Sequence, residues 1–152
     1  MSETRKLVAI LVADVVGYSR LAGADEERTL ARLRGLRSDL IDPAIAAHHG
    51  RIVNVGAQSA LQAASGFGPY AASKSAVHRL TESLAAELKL KGVTVNAVLP
   101  SIIDTPLNRR DMPKADFDRW VAPADLAAVM LFLASDEAKA VTGALIPVTG
   151  QV

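Results

Sequence analysis

Arg51-Ile-Val-Asn-Val55, followed some forty residues later by Val93-Thr-Val-Asn-Ala-Val-Leu99 and Pro100, decides how this chain folds. Both runs are short, β-branched and nearly continuous in apolar character. Strands buried on both faces of a sheet read this way, whereas a half-exposed strand alternates. Between them, Gly56 to Gly68 is rich in Gly, Ala and Ser and reads as a loop. Tyr70 to Leu90 then reads as a long helix, with Val77, Leu80, Leu84 and Leu88 predicted on one apolar stripe. Gly92 supplies its stop. Strand, helix and strand in this order predict a parallel pair joined by a right-handed crossover.

Working outward, Leu7-Val-Ala-Ile-Leu-Val-Ala13 is a third apolar run of strand length. Asp25 is an N-cap candidate, with Glu26 and Glu27 in the first turn, where a helix favours negative charge. Leu30, Leu33, Leu36, Leu40 and Ile41 recur at helical spacing until Pro43 interrupts them. Ala44 to His48 can resume as a short helix, and Gly50 is its cap. Downstream, Ser101 to Val121 is polar, charged and proline-bearing, and reads as one long loop. Pro123 to Ala134 is a helix with proline in its first turn, and Ala144-Leu-Ile-Pro-Val148 is a last strand. The order is βαβαβαβ, an α/β chain with about four parallel strands, read as a single domain over residues 1–152.

Composition narrows the function classes. The chain has 17 basic and 16 acidic residues, half its residues are hydrophobic, and it has no cysteine. That rules out disulfides, cysteine-ligated zinc and a cysteine nucleophile. The even charge balance and 4% aromatic content argue against nucleic acid as a partner. The apolar runs fall far short of a membrane span, and Met1 to Lys6 is too polar and short for a signal peptide. A soluble cytoplasmic domain is expected. At 152 residues it is short for an enzyme that binds a whole dinucleotide, because two βαβαβ halves usually share that task.

Tyr70 and Lys74 lie four residues apart, so a helix puts both on one face. An ammonium beside a phenol favours phenolate and suits the tyrosine to proton exchange near neutral pH. Taken alone, the spacing describes a surface pair equally well. Gly66-Phe-Gly68-Pro-Tyr-Ala71 has the outline of a dinucleotide fingerprint. It lacks a strand running into the turn, and Pro69 removes an amide that would face phosphate. Asp14 ends the first apolar run, where a lone carboxylate is usually a cap. His48, His49 and His78 have no metal-ligand spacing and read as solvated or structural, so no metal is expected. Arg28, Arg32, Arg34 and Arg37 read as a solvated helix face.

From Arg51 onward the chain resembles the C-terminal half of the short-chain dehydrogenase/reductase family. The resemblance rests on Arg-Ile-Val-Asn-Val at 51–55, Tyr70-Ala-Ala-Ser-Lys74-Ser-Ala-Val and Val93-Thr-Val-Asn-Ala-Val-Leu-Pro100. It continues through Ser-Ile-Ile-Asp-Thr105-Pro, Leu131-Phe-Leu-Ala-Ser-Asp136 and Val141-Thr-Gly-Ala-Leu-Ile-Pro-Val-Thr-Gly150. It implies an incomplete Rossmann-like three-layer sandwich and NAD(P)-dependent oxidoreduction of a small carbonyl substrate. Tyr70 would be the catalytic acid/base, and Lys74 would lower its pKa and hold the nicotinamide ribose. Pro100, Ser101, Ile103 and Thr105 would line the nicotinamide side of the cofactor.

The sequence departs from the family in several places. Ala57 stands where the family has its catalytic serine, as in the dihydropteridine-reductase branch, and Ser59 is out of register. Ser101 replaces a glycine. The glycine-rich turn and the Asn-Asn-Ala-Gly motif are absent from the 152 residues, so a truncated or chimeric reductase-like protein with weak or absent NAD(P) binding and weak or no activity is expected.

The first fifty residues resemble the opening of a class III adenylate/guanylate cyclase domain, with Asp14 as a metal carboxylate and Gln58 near the position of the second. One carboxylate does not support two-metal chemistry. The two resemblances meet at Gly50-Arg51-Ile52-Val53, which implies a chimera-like chain in which Leu7 to Ala13 stands in for the reductase's fourth strand. Two further readings accompany the oxidoreductase: a non-catalytic self-associating module, with a homodimer or higher oligomer expected, and a cyclase-related protein.

Overall fold

The computed structural model describes residues 50–152. Its elements are β1 (Arg51–Val55), α1 (Gly68–Leu88), β2 (Thr94–Pro100), α2 (Pro106–Asp111), α3 (Pro123–Ala134) and β3 (Leu145–Val148). Single 3-10 turns lie at Gln58–Ala60, Lys89–Lys91, Phe117–Arg119 and Asp136–Ala138. The Leu7 strand and the helix from Glu26 lie outside the described residues.

The three strands form one parallel sheet in the order β1-β2-β3, with Ile52 opposite Val95 and Val98 opposite Ile146. All seven residues of β2 are buried, as its nearly continuous apolar run predicts. Alternation along the strands divides the core in two. Ile52 and Val95 pack with Ala85, Leu88 and Val93 beneath α1. Val53 and Val98 pack with Val121, Leu126 and Leu133 beneath α3. Neighbouring strand residues point to opposite faces, so α1 and α3 cover opposite faces and the layers run helix, sheet, helix.

This corrects one expectation. Strand order advances in a single direction from β1 to β3, and two right-handed crossovers would place both helices on the same face. With the helices on opposite faces, the two connections have opposite hands, and one of them breaks the right-handed rule. Helical periodicity carries no information about crossover hand, so the sequence held no sign of it.

The buried side of α1 is also rotated from the leucine stripe. Ala71, His78, Thr81, Ala85 and Leu88 are buried, whereas Leu80 is 49% exposed. The sheet face that α1 meets carries a buried Asn54, whose amide donates to Thr81 Oγ1 at 2.9 Å. The same hydroxyl donates to Val77 O at 2.8 Å. A buried amide left unpaired is costly, so polar complementarity outranks the leucine count here. α1 closes as expected near Gly92, which takes up the left-handed conformation at φ 71°.

The 101–121 segment is more ordered than a plain loop. Thr105 caps α2 by accepting from Asn108 N at 3.2 Å, with Pro106 at the first helical position. Thr-Pro is a helix-start signal that charge and proline content obscured. The segment closes on itself through a parallel bridge from Ile103 to Val121. On β2, buried Asn96 accepts from Ala144 N at 3.0 Å and donates to Val141 O at 2.8 Å, which fixes the approach to β3.

Candidate active site

Parallel sheets bind ligands beyond the carboxyl ends of their strands. At that end of β1, Lys74 Nζ donates to Val55 O at 3.4 Å. One helical turn earlier is Tyr70, in the first turn of α1 and 47% exposed, with Phe67 meeting its ring edge-on at 6.3 Å. The helix start is tied down around them: Ser75 Oγ donates to Ala60 O at 3.0 Å and Ser73 Oγ to Tyr70 O at 2.7 Å. A phenol open to solvent and an ammonium resting on a strand-end carbonyl therefore stand together at the sheet's carboxyl edge.

The ends of β1 and β2 are adjacent, since Gly56 N donates to Val98 O at 2.9 Å. The residues after β2 thus flank the same edge. Pro100 is the last residue of β2 and is buried. Ser101 donates its amide to Val148 O at 3.2 Å and its hydroxyl to Thr149 O at 2.8 Å. Ile103 packs into the core beneath α3, and the Thr105 hydroxyl is the α2 cap. The scaffold holding these residues was not legible beforehand. Asn108 Nδ2 donates to Ile103 O at 2.7 Å. Arg109 binds both Asp104 oxygens, at 2.6 and 2.7 Å, and lies over the Phe117 ring at 4.8 Å. The Arg109 hydrogen bonds hold the Asp104 pKa below its ordinary value. A spacing of five residues is not a helical pairing distance, so pattern reading passes over it.

Ala57 is buried beside this edge, and its amide donates to Nε2 of the fully buried His78 at 3.4 Å. Ser59 lies two residues further on, in the turn Gln58–Ala60. Among the described residues, no group of three or more His, Cys, Asp or Glu is placed to hold a metal ion. No described helix is long and apolar enough to cross a membrane.

His78 is a structural acceptor, and only its neutral form can play that part. Desolvation lowers its pKa from 6.5; Arg79 and Lys74 act in the same direction, and Glu82 opposes them. As the pH falls, the unfolded chain therefore takes up this proton before the folded one. Stability present above the unfolded value is lost as the pH drops through the lower folded one. Melting temperatures measured at about pH 7.5 and about pH 5.5 should show this loss. His78→Leu should shrink the difference; an undiminished difference in that variant assigns the effect elsewhere.

A family model described as enoyl-(acyl carrier protein) reductase matches residues 37–150. The chain belongs to the short-chain dehydrogenase/reductase family. A 3-oxoacyl-[acyl-carrier-protein] reductase of Pseudomonas aeruginosa is 38% identical over 113 residues, which cover 68% of this chain and 45% of that protein. A solved structure titled as a short chain dehydrogenase/reductase family protein superposes with a TM-score of 0.68 at 31% identity, covering 91% of this chain and 58% of its own. The 3-ketoacyl-(acyl-carrier-protein) reductase of Brucella melitensis, complexed with NADH, superposes with a TM-score of 0.65 at 26% identity, covering 92% and 60%. The chain thus spans about half the length of the relatives it matches. The fold of this family member is the Rossmann-like α/β arrangement read from its segments, and the match begins at residue 37, upstream of Arg51.

Proposed function

We propose that this reductase-family chain carries NAD(P)-linked oxidoreduction of a small carbonyl or alcohol, with Tyr70 and Lys74 as its catalytic pair. The observation that carries this is the position of Lys74 Nζ, 3.4 Å from the Val55 carbonyl at the carboxyl edge, one turn from the solvent-open Tyr70 phenol. The donor set fits the nicotinamide end of a dinucleotide: an ammonium for ribose hydroxyls and a phenol for the substrate oxygen. A nicotinamide bound there supplies or accepts the hydride. Tyr70 gives a proton to the carbonyl oxygen in reduction and takes it from the alcohol in oxidation. Lys74 places its ammonium one helical turn from that phenol, at the strand-end carbonyl. Ala57 contributes no hydroxyl, so orientation of the substrate oxygen falls on Tyr70. Pro100, Ser101, Ile103 and Thr105 form the wall on the nicotinamide side.

Most dinucleotide affinity comes from pyrophosphate on a glycine-rich helix start. The 152 residues hold no such turn at a strand end. Calorimetric titration with NADPH should therefore give a dissociation constant weaker than about 0.1 mM. Micromolar binding would overturn this part of the reading. The cytoplasm, rich in both dinucleotides, is the fitting compartment. The two-ancestry reading, with its seam at Gly50-Arg51-Ile52-Val53 and a cyclase-like start, belongs with these proposals. Its N-terminal residues lie outside the described ones.

A second reading, self-association, is favoured by the apolar outer side of α3, where Leu131 is 66% and Phe132 49% exposed. A helix apolar all round is normally covered. Light scattering should give at least twice the 16.0 kDa chain mass; a monomer at working concentration excludes this reading.

A further inference from the structure

Residues 149–151 lie across both ends of the 101–121 segment. At its start, Ser101 donates its hydroxyl to Thr149 O at 2.8 Å and its amide to Val148 O at 3.2 Å. At its end, Arg119 donates through Nε and Nη2 to Gln151 O, at 3.1 and 2.6 Å, and Gln151 N returns a bond to Arg119 O at 2.9 Å. Gly150 lies between the two attachments at φ +60°. A Cβ there would sit 2.7 Å from Arg119 O, so only glycine lets the strap lie this close.

The strap does not simply duplicate the segment's own closure. Ile103 and Val121 already bridge, and Asp104 N and Val121 N bond across at 2.9 Å each. Those contacts join the two arms of the segment to each other. The strap joins the pair of arms to β3, and through β3 to the end of β2. Ile103 and Val121 anchor the base of the segment in the core beneath α3, and the strap adds a polar attachment to β3 at both ends.

We infer that Ser101 and Arg119 are positioning residues, which act through the strap Thr149-Gly150-Gln151 to hold Ile103–Thr105 in place at the carboxyl edge of the sheet. The functional half of this rests on the oxidoreductase reading above; the mechanical half does not. The hydroxyl contact to Thr149 O is one that a glycine at position 101 could not make. A cofactor wall fixed in advance spares a weakly anchored dinucleotide the ordering of that wall on binding.

The test uses the full 152-residue chain and the variants Ser101→Gly, Ser101→Thr and Gly150→Ala. Under native conditions, trypsin cleavage at Arg110 and Lys114 is followed against cleavage at Lys89 and Lys91, at the far end of α1. Losing the Ser101 hydroxyl bond should raise segment cleavage roughly five- to tenfold without changing the α1 sites. Gly150→Ala should act alike from the other attachment, and Ser101→Thr, which keeps a hydroxyl, should restore the parent rate. Cleavage that stays at the parent rate in both Ser101→Gly and Gly150→Ala, or that rises equally at the α1 sites, overturns the strap. Where NADPH-dependent reduction is measurable, Ser101→Gly should raise the KM for NADPH several-fold with kcat held within about twofold. An unchanged KM with raised cleavage would leave the strap standing and overturn its role in positioning. A chain with no turnover at all counts against the oxidoreductase reading, and the cleavage pattern still decides the strap.

Discussion

Tyr70→Phe should lower NADPH-dependent carbonyl reduction by about two to four orders of magnitude, the usual share of a positioned acid/base. The substitution deletes one oxygen and keeps the ring, so the edge-on contact with Phe67 survives. Tyr70 is 47% exposed, and surface changes of this size usually move stability by no more than about 0.5 kcal/mol. A fall in turnover with an unchanged melting curve thus separates chemistry from folding. Turnover of the variant within tenfold of the parent would remove Tyr70 from the reaction. The role proposed for the phenol rests on position: Lys74, one turn on, is anchored at 3.4 Å to Val55 O, which places the pair at the sheet's carboxyl edge.

Gly56→Ala should be the most damaging small change in the described fold. A Cβ at that position would collide with His78 Nε2 and come within 2.5 Å of Leu99 Cδ2. His78 is 1% exposed and Leu99 fully buried, so neither can swing into solvent. Overpacking of this kind costs about 1–3 kcal/mol, and at this size each kcal/mol moves the melting point by about 2–4 °C. A drop of roughly 2–12 °C is expected in a thermal melt. Relief of the clash would also draw the His78 ring from the Ala57 amide and loosen the turn after β1. A melting point unchanged within about 1 °C would mean that the helix and sheet separate more readily here than close packing allows.

How much could be read beforehand varies with the range of the interaction. β1, β2 and β3 were legible within a residue: burial on both faces leaves nearly continuous apolar runs at β1 and β2, and the partly buried β3 shows as a short apolar run between turn signals. The Tyr70–Lys74 pair was legible because helical spacing is local. Leu80 was misplaced because a leucine stripe says nothing of what the helix will meet. The opposing face held Asn54, which Thr81 answered, and His78 answered the Ala57 amide. The Asp104–Arg109 pair and Asn108 were missed because they meet across a turn with no period.

The sequence by itself determined what local chemistry can determine: a parallel α/β order, the stop at Gly92, and a phenol and an ammonium on one helical turn, each set by contacts within a few residues. Tertiary structure alone decided the rest. It turned α1 so that His78 and Thr81 are buried beside Ala71, Ala85 and Leu88, put α1 and α3 on opposite faces through connections of opposite hand, and tied Ser101 and Arg119 to residues 149–151. Those outcomes depend on which surfaces meet and which buried polar groups find partners, and residues thirty to fifty positions apart carry no periodic mark of having met.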